Sequence, residues 1–264
     1  MFGILFSLGM GLIIGSFLNV CICRLPKDES IVFPASHCTK CNTPIKWYDN
    51  IPVISWFVLG GKCRSCKEPI SVQYPIVELL TGTSTMLFYA HWSHYWPWLI
   101  VCLIALYVFI VMSVIDLQTM LISDLFSIIL VVLGLVSSPI NPCFAEYAQS
   151  WIGCLGQSAL GILAGGGFLW ALAVIGKIIF GKEAMGEGDI ILLGAIGSLC
   201  GWRGVITTVM MAAFFGTMYS FLLILLKKAN IKSAMAFGPC LALGALVNMY
   251  HFLPPSAFFF EIPY

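Results

Sequence analysis

Eight apolar runs separated by short polar joints leave this chain little option but a lipid bilayer. A helix needs about 20 apolar residues to cross the hydrocarbon. Runs of that kind lie near 2–21, 74–91, 98–115, 125–140, 152–176, 190–202, 204–226 and 236–253. Sixty per cent of the residues are hydrophobic and only 9% are charged, where an ordinary globular domain carries about 25%. The mean hydropathy is +0.97, so there is too little polar surface to face water. The expectation is an all-α polytopic membrane protein with about eight transmembrane helices. The sixth run is short and Gly-rich, which suits a partial or tilted span packed inside the protein. The first run has no basic stretch before it and no small-residue cleavage site after it, and reads as a retained anchor.

The basic residues set an orientation. Arg24 to Lys67 form one cluster, Lys177 and Lys182 precede a Gly-Glu-Gly-Asp stretch, and Lys227, Lys228 and Lys232 follow the seventh run. Eight spans with an external N-terminus place all of these on the cytoplasmic side and leave Arg203 outside. The segments 91–97 and 139–150 hold no Lys or Arg, as external loops require.

Residues 24–73 are the long polar stretch, between a first helix at 1–23 and a membrane core at 74–264. "HCTKC" and "KCRSC" supply Cys38, Cys41, Cys63 and Cys66, two C-x-x-C pairs with 21 residues between them. That spacing suits a tetrahedral zinc site, with Lys40, Lys62, Arg64 and Lys67 offsetting thiolate charge. Disulfides or redox thiols are the competing readings, and a cytoplasmic location disfavours the former. A module of about 50 residues has little core of its own, so the metal would be structural. Cys21, Cys23, Cys102, Cys143, Cys154, Cys200 and Cys240 lie in or beside the runs without ligand spacing and read as packing residues. Between the pairs, "WYDNIPVISWFVLGGK" either dips toward the bilayer with Trp47, Tyr48 and Trp56 as anchors or packs within the module.

Ionisable residues near the runs are few: Glu78, Asp116, Asp124, Glu187, Asp189 and His251. Such groups are costly in lipid and suggest function. Asp116 ends the third run and Asp189 opens the sixth, so both fall at the cytoplasmic ends of their helices. Two carboxylates brought close share one proton. The ionised one can then activate water while the protonated one polarises a carbonyl. Gly186 and Gly188 would let a substrate strand approach. Helix capping by Asp189 and a hydrated helix end at Asp116 explain the same residues without chemistry. Asp124 reads as the cap of the fourth span, Glu78 as facing lipid or a basic residue of the cysteine module, and Glu183 and Glu187 as solvated. His91 and His94 sit with Trp92, Tyr95 and Trp96 as interface residues.

Taken together, "GSFLNVCICRLP" (15–26), the two Cys pairs, "NIPVISWFVLGGKCRSC" (50–66), "ISVQYPIVELLTG" (70–82), "IDLQTMLISD" (115–124), "GKEAMGEGD" (181–189) and "FGPCLALG" (237–244) resemble, in order, the type IV prepilin peptidases. The resemblance implies a bacterial inner-membrane enzyme, with its N-terminus in the periplasm and its active site facing the cytoplasm. It implies Asp116 and Asp189 as the catalytic pair, the latter in the Gly-x-Gly-Asp motif of presenilin-like proteases. Substrates would be type IV prepilins or pseudopilins held in membrane lipid, with no nucleic acid involved. Their basic leaders would be cut after a glycine, and the new N-terminus then methylated from S-adenosylmethionine.

Departures from the family pattern are visible. Leu-Ile-Ser-Asp stands where the family has Leu-Pro-Asp, so Ser123 replaces a proline. "SSPINPCFAEYAQS" lengthens an external stretch, and Ile190–Ile191 stand where a Lys often follows Gly-x-Gly-Asp. No dinucleotide-type Gly motif marks a methyl-donor site, and the cytoplasmic loop near Gly60, Gly61 and Lys62 is its expected place. A peptidase without methyl transfer, a cation transporter built on the two aspartates, and a zinc-stabilised pilin-binding assembly factor are the competing functions.

Overall fold

The computed structural model describes residues 2–145, 147–181, 186–226 and 235–253. Among these the chain forms nine α-helices and no strand. They fall into two compact units, 1–95 and 96–264.

In the first unit, α1 (Phe2–Arg24) and α3 (Gln73–Trp92) pack antiparallel. Small residues set the closeness of this hairpin. A methyl on Gly11 would lie 2.8 Å from Gly82 Cα, and one on Gly15 would lie 2.8 Å from Glu78 Cα. At the loop end the Asn19 amide donates to the Tyr74 carbonyl at 3.1 Å. The cysteine-bearing loop joins the two helices and includes the short α2 (Ile54–Val58).

The second unit holds α4 (Trp96–Thr119), α5 (Asp124–Ser137), α6 (Pro142–Ala145), α7 (Trp151–Phe180), α8 (Glu187–Leu225) and α9 (Gly238–His251). Ser150 caps α7, its hydroxyl accepting from Gly153 N–H at 3.1 Å. Gly181 closes that helix in the left-handed region at φ 65°, donating to the Lys177 carbonyl. Helix α8 is broken at Gly201, whose φ 68° and ψ 176° are not helical. The sixth and seventh apolar runs are thus two helices meeting at one glycine.

Helix α7 runs against the first half of α8 through a seam of small residues. A methyl on Gly161 would overlap the Gly197 carbonyl, and one on Gly165 the Leu193 carbonyl. Buried polar side chains then tie backbones across helices. Ser158 donates to the Ser198 carbonyl at 2.8 Å, Asn141 to the Leu199 carbonyl at 2.7 Å, and Asn248 to the Gly204 carbonyl at 2.9 Å.

Among the described residues, four helical segments have the length and apolar character to cross a membrane: Phe2–Lys27, Trp96–Thr119, Trp151–Ile179 and Glu187–Leu225. The count falls below eight for physical reasons. Helix α8 merges two runs, α3 is diluted by Gln73, Glu78 and three threonines, and α5 and α9 have 14 residues each. At 1.5 Å per residue the last two are about 21 Å long, short of a hydrocarbon core of about 30 Å.

Candidate active site and cysteine cluster

Three helices of the second unit begin at one place. Asp116 lies in the last turn of α4, buried to 4% exposure. Its Oδ2 accepts the backbone N–H of Gly238, the first residue of α9, at 3.1 Å. Ile122, just before α5, fills the space between neighbours. A methyl built on Gly188 would meet Ile122 Cβ at 2.9 Å, and one built on Gly238 would meet Ile122 Cδ1 at 3.0 Å. The start of α8, the start of α9 and the end of α4 therefore enclose one side chain.

Asp189 stands in the first turn of α8, near enough to Asp116 for the two charges to interact. Its Oδ1 is buried with no hydrogen-bond partner among the described residues. An orphaned buried carboxylate oxygen is rare in a folded protein and requires an explanation such as a site for water or substrate.

The local roles differ from simple capping. Gly186 holds the N-cap position of α8 and Ser123 that of α5, neither with a side-chain cap. Asp189 and Asp124 lie inside the first turns, where the helix dipole favours negative charge. The two glycines before Asp189 also differ. Gly186 is exposed at φ −71° and ψ 140°, backbone open to any residue. Gly188 is the one whose missing side chain lets α8 approach Ile122. Glu187 is exposed, as expected of a solvated residue. Lys182 and Glu183 lie outside the described residues, as do Lys227, Lys228 and Lys232.

Gly238 and Ile122 carry no ionisable group, and sequence reasoning assigned them no role. The available signal was Pro239 behind Gly238. A proline at the start of a helix marks a terminus with unpaired N–H groups.

In the first unit the four cysteine sulfurs all lie within 4.8 Å of one another. The Cys38 and Cys66 sulfurs are 3.8 Å apart, close to the edge of a tetrahedron with metal–sulfur bonds of about 2.3 Å. Both pairs sit on the same turn, repeated 25 residues apart. Cys38 N–H donates to Thr43 and Cys63 N–H to Glu68, at 3.0 and 2.8 Å. Asn42 and Lys67, each following a second cysteine, take left-handed φ of 53° and 61°. Isolated bridges His37–Pro44 and Lys62–Pro69 close the two turns.

The thiols do not ionise alike. Thr43, by its hydroxyl and then its backbone, holds Cys41 down to about 6. Backbone groups of Cys66 and Ser65 lower Cys63. Cys66 is lowered by the Glu68 backbone, but desolvation and its three cysteine neighbours win and push it up to about 12. A cation is what would let all four become thiolates together. Arg64 grips Asp49 through both arms, Nε to Oδ2 at 2.8 Å and a terminal nitrogen to Oδ1 at 2.6 Å. This fork pins the second turn to the Trp47–Asn50 segment and holds the Asp49 carboxyl below its usual range.

The loop between the pairs divides the two expectations for its aromatics. Trp47 is 82% exposed, whereas Trp56 packs inward, donating its indole N–H to the Ile70 carbonyl at 3.2 Å. Glu78 faces neither lipid nor a lysine. It is buried, and its Oε2 accepts the Val53 N–H at 2.7 Å. Of the other cysteines, Cys21, Cys102, Cys154, Cys200 and Cys240 are buried, in keeping with packing.

These features define a class: a polytopic helical membrane protein with two neighbouring aspartates at converging helix starts and a separate four-cysteine loop. Residues 85–221 match the type IV leader peptidase family, and residues 10–92 match the bacterial peptidase A24 N-terminal domain. The chain belongs to the type IV leader peptidase family. It is 34% identical to the type 4 prepilin-like proteins leader peptide-processing enzyme of Escherichia coli, with 91% of each chain covered. It is 33% identical to the prepilin leader peptidase/N-methyltransferase of Aeromonas hydrophila, over 90% of this chain and 87% of that one. The protein of the same name from Xanthomonas campestris is 35% identical, over 92% and 89%. No solved structure matches the chain.

Proposed function

We propose that this chain removes the leader peptide from type IV prepilins or pseudopilins and then methylates the exposed N-terminus. The observation that carries the first step is the neighbouring Asp116 and Asp189, one of them with an unpartnered buried oxygen. One ionised carboxylate takes a proton from water, whose oxygen adds to the scissile carbonyl. The other, protonated, hydrogen-bonds that carbonyl oxygen. Collapse of the tetrahedral species breaks the C–N bond, with a proton passing to the departing amine. Gly238 N–H, bound to Asp116 Oδ2, holds one of the two carboxylates in place.

The relatives' second named activity supports methyl transfer, with S-adenosylmethionine as the donor. The cysteine loop, outside the 85–221 peptidase match, is the place proposed for it, near Gly60, Gly61 and Lys62. Four thiolates at tetrahedral separation suit zinc, bound by Cys38, Cys41, Cys63 and Cys66 in a structural role. The membrane is the bacterial inner membrane. Eight crossings are proposed, α3, α5, α9 and both halves of α8 being added to the longer helices, and the Lys and Arg distribution supports an external N-terminus and a cytoplasmic site.

The test is the intact mass of a type IV prepilin incubated with the detergent-solubilised protein, with and without S-adenosylmethionine. Leader loss plus one methyl group is expected. Asp116→Asn and Asp189→Asn should each leave the prepilin uncut while the protein keeps its fold. Full cleavage by either variant would refute the aspartate pair.

A further inference from the structure

Glu78 is a buried carboxylate that peptide cleavage does not use. It sits in α3 against Gly15 of α1, at 6% exposure. Burying a carboxylate there is costly, and its partner is unusual. Oε2 accepts from Val53, a β-branched residue at φ 63° and ψ −53° immediately before α2. The Ser16 side chain faces the same carboxylate. Left-handed backbone at a β-branched residue is strained and persists only where its surroundings impose it. Two unfavourable features therefore meet in one hydrogen bond.

The segment that this bond holds is braced throughout. Ser55 Oγ accepts from Ile51 N–H at 3.1 Å and donates to the Tyr48 carbonyl at 3.0 Å. Gly61 N–H donates to the Trp56 carbonyl at 2.8 Å, and Ile70 N–H to the Gly61 carbonyl at 2.7 Å. Gly61 itself stands at φ 66°, with the Trp56 ring 2.9 Å from where a methyl would lie. Residues 51–61 thus form a stiff strap that leads straight into Cys63. Val53–Glu78 is the bond that ties this strap to a helix of the hairpin.

We propose that Glu78 is a positioning residue for methyl transfer, latching the 51–61 strap to α3 in the shape that reaction requires. The proposal rests on the methylation reading above. Geometry of this kind governs rate because a small misplacement of reacting groups costs far more than it costs in binding. The carboxylate forms no bond to substrate; it acts through Val53.

The experiment compares Glu78→Ala and Glu78→Gln with the wild type, using purified full-length protein, a prepilin and S-adenosylmethionine. Initial rates of leader loss and methyl gain are followed by mass, and kcat and KM for the methyl donor are measured separately. Losing the acceptor that holds Val53 should lower kcat for methylation by about tenfold or more in Glu78→Ala. Leader cleavage should stay within about twofold, and donor KM should change little. Glu78→Gln keeps an oxygen for Val53 and should restore most of the methylation. Equal losses of both reactions would make Glu78 a general folding residue and overturn the proposal, as would unchanged methylation in Glu78→Ala. A wild-type protein that cleaves without methylating would instead remove the reading beneath it, and that result needs no variant to be seen.

Discussion

Replacing Gly238 with alanine tests the aspartate site at an atom that carries no charge. The added methyl would stand 2.6 Å from Asp116 Oδ2, 3.4 Å from its Cγ and 3.0 Å from Ile122 Cδ1. Ile122 can yield by rotating its end methyl. The carboxylate cannot yield as easily, because the same glycine's N–H holds it. Opening the 2.6 Å contact to the 3.4 Å of ordinary packing moves the oxygen by about 0.8 Å, and a displacement near 1 Å can cost about a hundredfold in rate. That is about 2.7 kcal/mol of barrier. Stability should not fall in step, since alanine is favoured over glycine within a helix by up to about 1 kcal/mol. The assay is kcat/KM for leader removal beside thermal unfolding in detergent, with Gly216→Ala as control. Gly216 is in the same unit, and its added methyl would lie 3.6 Å from Cys240 Sγ, an ordinary contact. The expected result is a loss of about two orders of magnitude in Gly238→Ala and none in the control. Wild-type cleavage by a folded Gly238→Ala would refute the reasoning, because Asp116 would then not need the position seen here.

Three further perturbations test other parts of the fold. Purified protein should carry zinc that Cys63→Ser or a strong chelator removes, read by metal analysis and by faster tryptic cleavage at Lys62 and Arg64. Since Cys66 lies near 12 without a cation, metal binding at neutral pH displaces its proton. Affinity should therefore weaken as pH falls, by about tenfold per unit for each displaced proton, and more steeply below about 6 where Cys41 also protonates. An affinity independent of pH between 8 and 6 would exclude a thiolate site. In the membrane core, Gly161→Ala forces its methyl onto the Gly197 carbonyl and should destabilise the protein by about 1–3 kcal/mol. An unchanged unfolding temperature would mean that α7 and α8 are not so tightly apposed.

The helices were legible because apolar run length is a property of the chain itself. The run near 74–91 became Gln73–Trp92, and that near 152–176 became Trp151–Phe180. The four cysteines were legible for a similar reason, since the turn of each C-x-x-C pair is local. What sequence reasoning lacked was partner choice. Glu78 read as facing lipid, a partner or a basic residue of the cysteine module, yet it accepts a backbone N–H made available by one strained valine 25 residues earlier. Gly186 and Gly188 looked alike as sources of flexibility, yet only Gly188 faces a neighbour that a side chain would strike. Ser158, Asn141 and Asn248 drew no attention because they do not ionise. In a helical bundle such residues choose among many carbonyls, and the choice is fixed by packing rather than by sequence distance.

The short helices explain why the aspartates meet where they do. Helix α5, the first half of α8 (187–200) and α9 each have 14 residues, about 21 Å of helix, and all three begin around Asp116. Their far ends are held together as well, by Asn141 on the Leu199 carbonyl and Asn248 on the Gly204 carbonyl. Helices of this length are about 9 Å shorter than a hydrocarbon core of about 30 Å. Under the proposed function, that missing length is where a non-helical substrate strand would lie, which lipid alone would not tolerate. The same three N-termini turn the positive ends of their helix dipoles toward the aspartates, and the first N–H of α9, that of Gly238, is bound to Asp116. Lengthening any one of these helices by a turn at its start would fill that room and bury its N–H groups, so the shortness belongs to the site.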